Sequence, residues 1–81
     1  MIDIGNHYAL DNLKEHQMYY HSSASLTSFY YKDGNDVYTL FFTENLKFEI
    51  YINDSYYPLQ GEEKDKCVKK YFSEIVMENI L

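Results

Sequence analysis

The chain has 81 residues with seven lysines, no arginine and thirteen acidic residues, which gives a formal net charge of −6 at pH 7. Arginine is the side chain best suited to hold phosphate, so this composition argues against direct nucleic acid binding and favours a basic protein as partner. The single cysteine excludes an internal disulfide, and no secretory leader or membrane span is expected, so the sequence predicts a cytoplasmic protein.

Aromatic residues are unusually frequent and make up 19% of the chain, with ten tyrosines among them. The hydrophobic fraction of 46% predicts one folded domain over residues 1–81 rather than a disordered chain. Because ten tyrosines cannot all be buried with satisfied hydroxyl groups, we expect several to be half-exposed. Exposed tyrosines are typical of protein-binding surfaces, since a rigid ring loses little entropy on binding.

The first 22 residues have the least regular pattern. A helix from His7 to Tyr20, capped by Asn6, would place a ragged apolar stripe on one side. That stripe consists of Ala9, Leu10, Leu13, Gln17 and Met18. The alternation of Ile2 and Ile4 fits a short strand instead. We favour the helix and predict a loop over residues 22–25.

Residues 26–52 alternate with period two and predict three antiparallel strands, over 26–32, 37–43 and 47–52. The first turn is Asp33-Gly34-Asn35-Asp36, since glycine and asparagine tolerate the positive φ angles of tight hairpins. Residues 44–46 form the second turn. The register that separates the two faces pairs Phe42 with Phe48, Leu40 with Ile50, and Tyr38 with Ile52. Phe29 and Tyr31 join that apolar face, and the other face carries Thr39, Phe41, Lys47, Glu49 and Tyr51.

The C-terminal third predicts a turn and then a helix. After a turn at 53–55, residues 56–60 could add a fourth strand, which Pro58 would confine to a sheet edge. From Glu62 to Ile80, apolar residues recur at helical spacing, so this helix is expected to cover the apolar sheet face. The predicted fold class is α+β: an antiparallel meander of three to four strands, packed by a C-terminal helix and preceded by an N-terminal helix.

No pattern in the chain predicts catalysis, a cofactor or a metal. The histidines His7, His16 and His21 are nine and five residues apart, which does not place two on one helical face. Cys67 lies near lysines at the helix start, but it also falls on the apolar stripe and is better interpreted as a buried core thiol. With three glycines, the chain has no phosphate-binding loop. We therefore expect a protein that is not an enzyme.

The excess negative charge lies in the first sixty residues, which hold eight acids against three lysines; residues 61–81 hold five acids against four lysines. Turn tips and the outer sheet face carry most of these acids, beside tyrosines that could anchor a partner. The predicted partner-binding residues are Asp33, Asp36, Glu44, Glu49, Tyr51, Asp54 and Tyr56, with Tyr30 and Tyr57 as further candidate anchors. In the alternative interpretation, this charge serves only solubility and the protection of strand edges.

In size, acidity and predicted order of elements, the chain resembles small acidic phage proteins that block nucleic-acid enzymes. Some anti-CRISPR proteins that occupy the DNA-binding cleft of a CRISPR nuclease are similar, with a leading helix, a three-stranded antiparallel sheet and a C-terminal helix. The resemblance implies a non-catalytic inhibitor, encoded by a phage or mobile element, that acts as a DNA mimic in the host cytoplasm. Its partner would be a basic nucleic-acid-handling protein such as a CRISPR effector. No motif carries over residue by residue.

A second hypothesis is a small structural or assembly protein that forms a homodimer through its aromatic outer sheet face or an open strand edge. Phe41 separates the two hypotheses, because the predicted register exposes it beside Thr39 and Tyr51. A third hypothesis, a small enzyme, requires Cys67 to be exposed and reactive.

Overall fold

The computed structural model describes residues 1–4, 12–22, 26–43 and 47–80. Its fold is α+β, with one mixed sheet and a C-terminal helix. The strands are β1 (Ile2–Asp3), β2 (Met18–Ser22), β3 (Thr27–Asp33), β4 (Asp36–Phe42) and β5 (Phe48–Ile52). The helix consists of α1 (Gly61–Cys67), a π-helical turn (Val68–Phe72) and α2 (Ser73–Ile80).

The five strands lie side by side in chain order. Strands β2 to β5 are antiparallel to their neighbours, whereas β1 is parallel to β2 and pairs Ile2 with Tyr19. The prediction of a purely antiparallel sheet of three to four strands is therefore wrong. Parallel neighbours need a crossover connection, and local alternation of side chains does not reveal such a pairing.

The predicted register of the central strands is confirmed. Opposite residues on β4 and β5 are Phe42 and Phe48, Leu40 and Ile50, and Tyr38 and Ile52. Strand β3 places Phe29 opposite Leu40 and Tyr31 opposite Tyr38. The turn between β3 and β4 begins with Gly34 at a φ of 63°, a conformation that costs glycine little. The turn predicted at 44–46 lies outside the described residues.

The predicted N-terminal helix is wrong over its described part. Met18–Ser22 form β2, with Tyr19 opposite Tyr30 and Tyr20 opposite Phe29 in β3. Pairing with a neighbouring strand therefore outweighs a ragged helical stripe. The alternative strand at the N-terminus is found as β1, and Ser22 ends β2 rather than opening a loop. Residues 5–11 and 23–25 lie outside the described residues.

The predicted fourth strand at 56–60 is also absent from this described segment. It folds back beside β5 instead, and the amide of Leu59 donates to the carbonyl of Ile50 at 2.8 Å. Lys64 Nζ donates to the carbonyl of Phe48 at 2.8 Å, and the amide of Ser55 donates to the carbonyl of Ile52 at 3.2 Å. The β5 carbonyls that point away from β4 are thus occupied within the chain, which protects this sheet edge.

The helix packs across the apolar sheet face, as predicted. Phe72 of the helix and Leu40 and Ile50 of the sheet are fully buried. The remaining buried residues of this core are Phe29, Cys67 and Ile75. Cys67 and Phe72 are five residues apart yet both buried, which fits the wider spacing of the intervening π-helical turn.

A smaller cluster covers part of the opposite sheet face. Its buried members are Leu13, Tyr19, Tyr30 and Val37, with Ile4 packed against them. The hydroxyl group of Tyr19 accepts a hydrogen bond from the Lys14 amide at 3.0 Å. Tyr30, a candidate anchor, is 6% exposed and belongs to this cluster. It is therefore a core residue, and the prediction of Tyr30 as an anchor is not supported.

Candidate protein-binding site

One end of the sheet gathers four of the seven predicted binding residues. Asp33 ends β3, Asp36 begins β4, and Asp54 and Tyr56 follow β5. Because β3, β4 and β5 are antiparallel neighbours, these chain positions meet at the same end of the sheet. We call the solvent-facing part of this end the acidic tyrosine surface; it consists of Asp36, Asn53, Asp54, Tyr56 and Tyr57.

Asn53 joins the two chain segments of this surface. Its backbone has a φ of 53°, in the left-handed region that asparagine adopts more readily than most residues. Its amide donates to the Val37 carbonyl at 2.8 Å, while its Oδ1 accepts from the Val37 amide at 3.0 Å. Its Nδ2 donates to Asp36 Oδ1 at 3.0 Å. The side chain thus fixes the segment after β5 to the start of β4, a role that the sequence did not predict.

Tyr56 and Tyr57 are the most exposed large side chains of this end, at 93% and 81%. Their segment is nevertheless held by hydrogen bonds. Ser55 Oγ accepts from the Tyr57 amide at 3.2 Å and donates to the Tyr57 carbonyl at 3.1 Å. The hydrogen bond from the Leu59 amide to the Ile50 carbonyl holds the C-terminal end of the segment. Two aromatic rings are therefore presented to solvent from an anchored backbone.

Asp33 is engaged by the helix rather than free for a partner. Tyr71 Oη donates to Asp33 Oδ2 at 2.5 Å, and Lys70 Nζ lies 3.7 Å from the same oxygen. The hydrogen bond from Tyr71, with a smaller contribution from Lys70, lowers the pKa of Asp33. The Tyr71 ring packs 4.9 Å from that of Tyr31 and 4.7 Å from that of Tyr38. Burial and the bond to Asp33 raise the pKa of Tyr71.

Glu49 and Tyr51 lie on the outer sheet face and do not belong to the acidic tyrosine surface. Tyr51 Oη donates to Glu49 Oε2 at 3.0 Å, which raises the pKa of Tyr51. The ring of Phe41 stacks on Tyr51, with centroids 5.5 Å apart and planes 8° apart. We call Thr39, Phe41, Glu49 and Tyr51 the outer patch, whose residues are all half-buried. Glu44 lies outside the described residues.

Cys67 has the properties of a core thiol. It is 6% exposed, and burial raises its pKa to about 11. A thiol with that pKa is almost fully protonated near neutral pH and is a poor nucleophile. Within the described residues, no group of three or more histidine, cysteine or acidic side chains is placed to hold a metal ion.

The chain matches no family model, and no curated protein or solved structure was found to be similar to it. None of the described helices is long and apolar enough to cross a membrane. A functional interpretation therefore depends on the geometry and charge of the acidic tyrosine surface and the outer patch.

Proposed function

We propose that the chain is a non-catalytic inhibitor that binds a basic protein through the acidic tyrosine surface. The observation that carries this proposal is the exposure of Tyr56 and Tyr57, at 93% and 81%, in the segment after Asp54 that Asn53 joins to Asp36. Tyrosine is enriched among the residues that dominate binding energy, and carboxylates at the same site select a cationic partner.

The anchored backbone of this surface also favours a binding role. A partner that docks on a mobile loop must offset the entropy of ordering it, at about 1–2 kcal/mol for each residue fixed. Here hydrogen bonds of Asn53, Ser55 and Leu59 already hold the segment. Tyr56 and Tyr57 can therefore contact a partner with little further ordering of the backbone.

The charge of the chain favours a nucleic-acid-handling protein as the target. A cleft that binds DNA or RNA is lined with lysine and arginine, and an acidic protein of net charge −6 is attracted to it over several ångströms. The carboxylates would stand where phosphates bind, in the manner of a DNA mimic. A CRISPR effector in a bacterial host, inhibited by a phage or mobile element, is the example that fits best.

This proposal rests on charge and surface rather than on the order of elements. The likeness to anti-CRISPR proteins included a leading helix, but Met18–Ser22 form a strand. Two of the predicted carboxylates, Asp33 and Glu49, accept hydrogen bonds from tyrosine hydroxyl groups outside this surface, whereas Asp36 accepts one from Asn53 within it. We therefore assign the binding role chiefly to Asp36, Asp54 and Tyr56, and we add Tyr57.

The test is capture of the target from a host lysate at low salt, with the tagged chain as bait and a salt gradient for elution. The Tyr56→Ala chain is the test variant, and Met77→Ala is the matched control, since Met77 is 59% exposed on the helix. We expect a basic nucleic-acid-binding protein that competing DNA displaces, that Met77→Ala retains and that Tyr56→Ala loses. Equal capture by both variants, or a partner indifferent to DNA, would contradict the proposal.

Self-association through the outer patch is the second candidate function. The stacking of Phe41 on Tyr51 on a half-buried sheet face favours it. Pairing through the β5 edge is disfavoured, because its outward carbonyls already accept hydrogen bonds from Ser55, Leu59 and Lys64. If the outer patch forms a dimer, light scattering will show a dimer that Phe41→Lys converts to a monomer. A monomeric wild-type chain would exclude this candidate.

A further inference from the structure

A cleft of about 380 Å³ opens between the first half of the helix and the ends of β4 and β5. Its volume is near the lower end of the range of about 300–1,000 Å³ that is typical of small-molecule sites. The cleft lies on the helix-covered side of the sheet and has no part in the acidic tyrosine surface.

The walls of the cleft are mostly apolar. Tyr38 and Ile52 contribute from the sheet, Cys67 from the helix and Leu59 from the segment that folds back beside β5. Such walls favour a flat hydrocarbon or aromatic ring, because burial of apolar surface stabilises the complex by about 25 cal/mol for each Å².

The charged lining of the cleft has an excess of one lysine, although the whole chain is acidic. Its charged lining residues are Glu63, Lys66 and Lys70. Lys70 Nζ lies 3.7 Å from Asp33 Oδ2 and forms an ion pair with it, whereas no ion pair of Lys66 is found among the described residues. The Lys66 ammonium group therefore has no carboxylate partner there, and it can bind an anion without first breaking an ion pair.

We propose that this cleft binds a small aromatic carboxylate, with its ring against Tyr38 and Ile52 and its carboxylate at Lys66. This inference goes beyond the proposed inhibitory function and does not depend on it. Apart from the Glu63 carboxylate, the acidic groups of the lining are consistent with an anionic ligand. Burial raises the pKa of Cys67 to about 11 and also raises that of Tyr71, so neither group adds negative charge near neutral pH.

The test is a titration of the ¹⁵N-labelled full chain with 2-naphthoate, followed by amide chemical shifts. The neutral analogue 2-naphthylmethanol has the same ring system without the carboxylate. Lys66→Gln is the test variant, and Lys69→Gln is the control, since Lys69 is exposed and does not line the cleft. The spectrum of each variant without ligand shows whether it is folded.

We expect saturable shifts at the amides of Leu59, Cys67 and Lys70. Binding should be about two- to fivefold weaker in Lys66→Gln and unchanged in Lys69→Gln, as for a partly exposed ion pair. The neutral analogue should bind more weakly than 2-naphthoate to the wild-type chain and equally to both variants. Absence of saturable shifts at the cleft, equal binding of the two compounds, or an equal loss in both variants would overturn the proposal. These outcomes are independent of whether a basic protein is captured.

Discussion

At the scale of single residues, the hydrogen bond from Tyr71 to Asp33 ties the end of the β3–β4 hairpin to the helix. It lowers the pKa of Asp33 below 3.8, and burial together with this bond raises the pKa of Tyr71 above 10.0. The carboxylate therefore adds stability above pH 3.8, which is lost as pH falls through the lowered pKa of Asp33. The phenol adds stability below pH 10.0, which is lost as pH rises through the raised pKa of Tyr71.

Replacement of Tyr71 by phenylalanine tests this bond, because it removes the hydroxyl group and keeps the ring. We expect Tyr71→Phe to be less stable than the wild-type chain between about pH 5 and about pH 9. The difference in the free energy of unfolding should become smaller at pH values below the pKa of Asp33 and at pH values above the pKa of Tyr71. Urea unfolding at a series of pH values measures it. Tyr57→Phe is the control, since Tyr57 is 81% exposed, and a constant difference across the pH series would contradict the assignment.

Asn53 combines a left-handed backbone with two side-chain hydrogen bonds. Asn53→Ala loses both bonds and places an alanine at a φ of 53°, which together should cost about 2 kcal/mol in the free energy of unfolding. Asn53→Gly loses the same bonds without the backbone strain and should cost about 1 kcal/mol. Chemical denaturation measures both variants. Equal stability of the two would mean that the left-handed conformation is not retained.

At the scale of elements, the sequence predicts best for β3, β4 and β5, where alternating side chains flank residues typical of turns. The register of β3, β4 and β5 follows from alternation around Gly34, because a shift by one residue would move Leu40 and Ile50 out of the core. The helix follows from apolar residues at helical spacing. These patterns are local in the sequence, and burial of the apolar side chains on one face directly favours the predicted strands and helix.

The missed features depend on contacts that no local pattern contains. The loose apolar stripe of Leu13 and Met18 predicts a helix where the chain forms β2, whereas pairing with β3 and with the distant β1 decides its conformation. The π-helical turn leaves apolar residues close to their helical spacing, so periodicity does not reveal it. In the candidate site, the sequence indicates Tyr56 as a binding residue, but the anchoring by Asn53 depends on the positions of β4 and β5 together.

Lys64 protects the β5 edge, and its substitution tests how much this protection stabilises the fold. Its ammonium donates to the Phe48 carbonyl and lies 4.6 Å from the centroid of the Phe48 ring. Lys64→Met keeps an unbranched side chain but removes the donor, which should lower the free energy of unfolding by about 0.5–1.5 kcal/mol. Lys69→Met is the control, because Lys69 is an exposed helix residue. Similar unfolding midpoints for both variants in urea would show that Lys64 does not hold this edge.

At the scale of the whole molecule, charge is distributed unevenly. Most of the acidic excess lies before residue 61, and two helix lysines are turned towards the sheet, Lys64 at Phe48 and Lys70 at Asp33. The acidic tyrosine surface (Asp36, Asn53, Asp54, Tyr56 and Tyr57) lies in this acidic part of the chain. The net charge of −6 should therefore act on the approach of a cationic partner.

Salt dependence of the binding rates tests this effect. Added salt screens charges that are separated by more than about 8–10 Å at physiological ionic strength. We expect the association rate with the captured partner to fall as salt rises, while the dissociation rate changes little. Surface plasmon resonance at several salt concentrations measures both rates. An association rate that does not depend on salt would argue against binding led by charge.

In the proposed function, Tyr56 and the neighbouring carboxylates bind a nucleic-acid-handling protein in place of its nucleic acid. Competition between the chain and DNA for the purified partner therefore decides whether this binding occurs. We expect wild type and the control variants Met77→Ala and Glu78→Gln, which change exposed residues of α2, to displace DNA equally. Tyr56→Ala should be weaker by at least about tenfold, and Asp54→Asn weaker by a smaller factor. Simultaneous binding of DNA and the chain, or displacement unaffected by Tyr56→Ala, would contradict the claim.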